Sequence, residues 1–270
     1  MMLEGKVVVV SGVGAGLGHQ VAAAVVRDGG YAVLGARTEA NLTKTVAAID
    51  PDGTRTAWRT TDITRDEDCA ALAELAVDRY GALDAVVNVA ALDTHVGGLQ
   101  DADFESWHQV VDVNLMGTMR MTRACLPALR TRGGSVVLIG TQAAVAANTQ
   151  VPGMAYAASK GALLSAMYSL AWELGPDRIR VNTVLPGWMW GPTVEAYVHE
   201  GPEVSPGERS AAHPDSAPEP ERLTRLADRM ALPELATDAD VAEAVVFLAS
   251  DRARAITGQS LLVNAGEWMR

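Results

Sequence analysis

Short runs of Val, Ile and Leu alternate along this chain with longer stretches whose apolar residues recur at helical spacing. Lys6–Ser11 (KVVVVS) is β-branched and too short for a helix, so it predicts a buried strand. Leu17–Asp28 carries the helical period and ends at Gly29-Gly30. Tyr31–Ala36 predicts a second strand, Ala40–Ile49 a helix stopped by Pro51 and Gly53, and Thr54–Thr60 an alternating third strand. Asp66–Tyr80 predicts an amphipathic helix with Gly81 beyond its end, and Leu83–Val89 a fourth strand. Phe104–Arg130 reads as one long helical stretch with Pro127 near its end. Gly134–Gly140, Ile179–Leu185 and Ser260–Val263 predict the remaining strands. Tyr156–Leu174 and Asp238–Ser250 predict helices, the second capped by Thr237 or Asp238.

Strand and helix alternating throughout imply right-handed crossovers and a doubly wound α/β fold, a parallel sheet covered by helices on both faces. No repeat and no linker interrupts the pattern, so residues 1–270 read as a single domain. Glu200–Glu221 differs in composition: it is rich in Pro, Glu, Ser and Gly and poor in apolar residues, and it predicts a mobile surface loop. It falls in a substrate-loop region of about 188–235, after the sixth strand. In open α/β sheets ligands sit at the carboxyl ends of strands, so the segment is either a neutral insertion or part of a lid.

Composition narrows the class. Of the 270 residues about half are hydrophobic, mostly Ala and Val, and the formal net charge is −11. That acidity argues against nucleic acid or an anionic membrane as partner. It leaves room for a phosphate-bearing cofactor held by backbone amides. Cys69 and Cys125 read as reduced residues in or near the core. The start lacks a signal-peptide h-region, and no run is apolar for long enough to span a bilayer, so the expected location is cytoplasmic. The five histidines have no metal-ligand spacing, so no metal is expected.

Gly12, Gly14, Gly16 and Gly18 lie between the first strand and the first helix, from Ser11 to Leu17 and Gly18. Glycines there allow a tight turn and close approach of a pyrophosphate to a helix N-terminus. The second strand ends Gly35-Ala36-Arg37-Thr38, without the carboxylate that would hold a ribose diol. Arg37 can pair with a 2′-phosphate and Thr38 can add a hydroxyl, which tilts the choice to NADP, with NAD as the alternative. Tyr156 and Lys160 are four apart, on one face of a helix. A nearby ammonium lowers the pKa of a phenol, which can then exchange a proton with a carbinol or carbonyl oxygen.

In order and spacing these motifs resemble the short-chain dehydrogenase/reductase family, from Ser11-Gly-Val-Gly-Ala-Gly-Leu-Gly18 to Thr257-Gly-Gln-Ser and Val263-Asn-Ala-Gly266. The resemblance implies a seven-stranded parallel sheet, NAD(P), and hydride transfer to or from a secondary alcohol or ketone. It implies Tyr156 as proton donor or acceptor, Lys160 as its tuner and ribose ligand, and Asn114 as support for a proton relay. It implies Asp62 and Ile63 at the adenine, Asn88 and Ala90 in the family's Asn-Asn-Ala-Gly place, and Pro186, Gly187 and Met189 beside the nicotinamide. It also implies a homotetramer or homodimer. The chain departs from the pattern at the family serine. Aligned from the fifth strand, Thr141 takes its place; counted back from Tyr156, the position falls near Ala143, which has no hydroxyl. Ala91 replaces a glycine. Gln142, Val151, Met154, Trp188 and Trp190 are the expected pocket for a small apolar alcohol or ketone. The rival reading is a cofactor-binding sensor or subunit with weak or no catalysis, motivated by the missing serine.

Overall fold

The computed structural model describes residues 1–93, 98–100, 102–147, 153–200 and 219–269. Seven strands form one parallel sheet: β1 (Val7–Ser11), β2 (Tyr31–Ala36), β3 (Thr56–Thr60), β4 (Ala85–Asn88), β5 (Gly134–Ile139), β6 (Ile179–Pro186) and β9 (Ser260–Val263). Their order across the sheet is β3-β2-β1-β4-β5-β6-β9. The order reverses between β1 and β4, and a crevice opens there at the carboxyl ends of the strands.

The continuous apolar runs have a simple cause: both faces of the sheet are buried. Val8 and Val10 of β1, with Val137 and Ile139 of β5, pack on one face. That face is covered by α1 (Leu17–Arg27), α2 (Glu39–Ile49) and α9 (Asp238–Ala249), through residues such as Val21, Leu42 and Val245. Val7 and Val9, with Val136 and Leu138, pack on the other. There the cover is α3 (Asp66–Tyr80), α5 (Thr118–Leu129) and α6 (Met154–Leu174), through Leu72, Met121 and Met167. Cys69 and Cys125 belong to this second layer, both free and buried. Among the described residues no helix is long and apolar enough to cross a membrane.

The long helix expected over Phe104–Arg130 is α4 (Phe104–Val111), a π-helical turn at Asp112–Gly117, and α5. Hydrophobic periodicity does not mark one extra residue in a turn, which is why the sequence reads it as continuous. The expected loop region after β6 also differs. It contains a two-residue strand β7 (Met189–Trp190) paired with β8 (Ala236–Thr237), and the helices α7 (Pro192–Glu200) and α8 (Glu219–Ala227). Val194, Val198 and Leu226 give these helices a small core of their own, which the low apolar content of the segment hides. Residues 201–218, most of the predicted mobile loop, lie outside the described residues. Thr237 caps α9 in a reciprocal capping box with Asp240, as the sequence expects of one of its two candidates.

Candidate active site

The glycine turn leaves β1 and enters α1 with no spare volume. Gly12 has φ +89°, and a Cβ on it would stand 2.2 Å from the Ala90 amide nitrogen. A Cβ on Gly18 would stand 2.3 Å from the Gly12 carbonyl oxygen. Gly14 differs: a Cβ there would meet nothing within 4 Å. Gly16 is the N-cap of α1 and no side chain caps the helix there, which leaves its N-terminus suited to an anion. The turn is held to its neighbours by Gly12 N donating to the Gly35 carbonyl at 2.8 Å and by Val89 N and Ala90 N donating to the Ser11 carbonyl. Ser11 donates to Asn88 Oδ1 at 3.4 Å, and Asn88 Nδ2 to Thr122.

Beside the turn lies a cavity of about 300 Å³. Gly12, Gly14, Arg37, Thr38, Asp62, Ile63 and Ala90 all line it, so it unites the expected cofactor residues of four strand ends. Ala91 lines it too. Arg37 and Thr38 are exposed, and Thr38 is the N-cap of α2 with a side chain that caps nothing. Asn41, one turn on, also lines the cavity; the Thr38-x-x-Asn41 spacing is the signal that sequence reasoning passed over. Burial opposes charge on Asp62, but two hydrogen bonds from Thr64 and the nearby Arg37 and Arg65 outweigh it and hold the carboxyl below its usual range.

The second cluster stands at the carboxyl end of β5. Thr141 is the N-cap of a single 3-10 turn (Gln142–Ala144), accepts from Ala143 N at 3.2 Å, and sets its hydroxyl close enough to Tyr156 to favour the phenolate. Of the two alignments the sequence allows, the hydroxyl at Tyr156 is therefore that of Thr141. Lys160, one turn along α6, is buried, with Nζ 5.8 Å from the Tyr156 ring centroid and donating to the Ile139 carbonyl at 2.7 Å. The spacing alone implies a lowered phenol pKa, and here the structure corrects it. Burial raises the Tyr156 phenol well above its ordinary value, Asp93 raises it further, and only the Thr141 hydrogen bond pulls it down. Lys160 itself is pulled down to about 8 by burial, against the opposing pull of Asp93. Asp93, absent from the sequence expectations, is raised by desolvation, with Lys160 acting the other way.

Asn114 lies in the π-helical turn and is fully buried. Its side chain accepts from Leu92 N at 2.7 Å and donates to the Leu92 carbonyl and to Ser159, each at 3.0 Å. Ser159 in turn donates to the Tyr156 carbonyl at 2.8 Å. Asn114 thus ties the segment after β4 to the first turns of α6. The rest of the expected site is scattered. Pro186 ends β6, and Gly187 N donates to the Val263 carbonyl at 3.3 Å. Trp188 and Trp190 pack on the small core of α7 and α8, so both rings anchor that unit, and Met189 packs against the main core. Met154 is exposed at the start of α6. Val151 lies outside the described residues.

Comparison with known proteins gives the same outline along the whole chain. A sequence model described as short chain dehydrogenase matches residues 6–200, and one described as enoyl-(acyl carrier protein) reductase matches residues 203–267. Dehydrogenase/reductase SDR family member 4 of Sus scrofa is 31% identical over 98% of this chain and 88% of its own length. L-fucose dehydrogenase of Bos taurus is 32% identical over 97% of this chain and 89% of its own. A short-chain type dehydrogenase/reductase from Mycobacterium ulcerans superposes with a TM-score of 0.86 at 29% identity, covering 99% of this chain and 91% of that one.

Proposed function

The chain belongs to the short-chain dehydrogenase/reductase family of oxidoreductases, and on that premise we propose that it moves a hydride between a nicotinamide dinucleotide and a secondary alcohol or ketone, with Tyr156 carrying the proton. The observation that carries this reading is the placement of the Thr141 hydroxyl at Tyr156, with buried Lys160 beside the ring, at the end of β5, two strands from the glycine turn on β1. A dinucleotide fits the residues present. The turn is cleared of side chains at Gly12, Gly14 and Gly18, α1 presents uncapped amides, and the adjoining cavity is lined by Asp62 and Ile63. Bound there, the dinucleotide supplies or accepts the hydride.

The chain's own residues handle the rest. With its pKa raised, Tyr156 is protonated at neutral pH and loaded as a donor to a nascent alkoxide. Thr141 can hold the same substrate oxygen and then stabilise the phenolate by hydrogen bonding. Asn114 fixes the frame through Leu92 and Ser159. Arg37, Thr38 and Asn41 at the rim of the cavity favour NADP over NAD, because a guanidinium and two polar side chains suit a 2′-phosphate. The test is a panel of ketones and secondary alcohols with each dinucleotide, read by nicotinamide absorbance. Turnover is expected, faster with the 2′-phosphorylated cofactor. Dinucleotide binding with no turnover across the panel contradicts the proposal and favours the sensor reading.

A further inference from the structure

Just past β9, Asn264 is buried and makes three side-chain hydrogen bonds. Its Oδ1 accepts from the Gly266 amide at 3.1 Å, and its Nδ2 donates to the Trp268 carbonyl at 2.9 Å. Both partners are backbone groups of fixed polarity, so turning the Asn264 amide over would lose both bonds. The same Nδ2 lies 2.5 Å from the side-chain amide of Gln142, where only an oxygen can accept it. The orientation of Gln142 follows: Oε1 is the anchored end, and Nε2 is the free one. That nitrogen donates to no described residue.

The anchored end has a defined place. Gln142 follows Thr141 directly and opens the 3-10 turn beside Tyr156. Its Oε1 is 3.1 Å from where a Cβ on Gly187 would stand, so the side chain spans the gap between the loops leaving β5 and β6. These are adjacent strands, and the gap is at their carboxyl ends, where a substrate meets the proton-transferring pair. Among the described residues, the cations around it are engaged. Arg229 pairs with the buried Glu267 at 2.5 Å, and a Glu267 oxygen is 3.0 Å from the same Gly187 point. Lys160 is buried and donates to Ile139. Among the described residues, a carboxylate or phosphate there would meet Glu267 while Arg229 and Lys160 are already engaged, whereas a neutral oxygen needs only an amide donor.

We propose that Gln142, oriented by Asn264, is a specificity-determining donor for a second, uncharged oxygen close to the reacting carbon of the substrate: a hydroxyl, ester or ketone oxygen. This rests on the oxidoreductase reading above and replaces a purely apolar substrate by an oxygenated one. Asn264 is a positioning residue in this scheme, 122 positions away in sequence.

The experiment compares matched ketones with the reduced dinucleotide: hydroxyacetone against butanone, and ethyl acetoacetate against the acetoacetate anion. The wild type favours the first of each pair by about tenfold in kcat/KM, the worth of one neutral hydrogen bond in a site built for it. Gln142→Met brings the hydroxyacetone-to-butanone ratio close to one. Asn264→Ala brings it down through a raised KM for hydroxyacetone rather than a lower kcat. Thermal melting and dinucleotide titration of Gln142→Met establish that the variant is folded. A wild-type ratio near one, or a ratio unchanged in Gln142→Met, overturns the inference while turnover of butanone keeps the proposed function. Failure of every ketone with the wild type overturns the proposed function, and this inference with it.

Discussion

Burial acts in opposite directions on Tyr156 and Lys160, raising the phenol and lowering the ammonium to about 8. The two groups therefore lose their protons in the reverse of their usual order: Lys160 first, near pH 8, and Tyr156 later. Ketone reduction needs the phenol protonated, which holds across neutral pH, so the alkaline limb of kcat/KM belongs to Lys160. The expected profile is level below about pH 7 and falls as pH rises through about 8. Lys160→Arg keeps the cation at high pH, so it moves that limb upward even where its bulk slows the reaction. A limb that stays near 8 in that variant would assign it elsewhere. At this scale the sequence names the candidate residues but not the direction of their pKa shifts. Four-residue spacing brings Tyr156 and Lys160 to one face, yet where Nζ points is set by the Ile139 carbonyl, a contact 21 residues away along the chain. Gln142 and Asn264 are legible for the same reason only in part: each is an ordinary amide until the tail folds back on the loop after β5.

The turn between β1 and α1 is the element whose sequence and geometry agree most closely. Gly12 has no room for a side chain and a backbone angle that L-residues avoid, because Ala90 approaches within a backbone contact. Gly12→Ala is expected to destabilise the protein by more than about 1 kcal/mol and to abolish dinucleotide binding. Denaturant melts and cofactor fluorescence check both effects, and a variant that binds normally would show that the turn is not the cradle. The strand runs were equally legible, since burial on both faces leaves an unbroken apolar signature. The π-helical turn that carries Asn114 was not, nor were α7 and α8. Their apolar residues, Val194, Val198 and Leu226, are few and serve a local cluster, so polar composition outweighs them when the sequence is read alone.

At the scale of the molecule, two hydrophobic layers hold the sheet, and the candidate site residues gather at the carboxyl ends of its strands, to either side of the point where the order reverses. The alternation of elements predicts that arrangement, and the family resemblance supplies the strand count. What neither supplies is the choice between NAD and NADP, which turns on an exposed arginine at the rim of the cavity. Arg37→Asp is expected to reverse the preference, weakening NADP binding by at least about tenfold and leaving NAD binding no weaker, because the carboxylate repels the 2′-phosphate and accepts the ribose diol. Parallel titrations decide it, and unchanged NADP affinity would remove Arg37 from the site. The central claim is that Tyr156 moves the proton in a hydride-transfer reaction. The most direct measurement is turnover and dinucleotide affinity of Tyr156→Phe beside the wild type. The account predicts a loss of turnover of at least about a hundredfold with cofactor affinity nearly unchanged; turnover close to that of the wild type would contradict it.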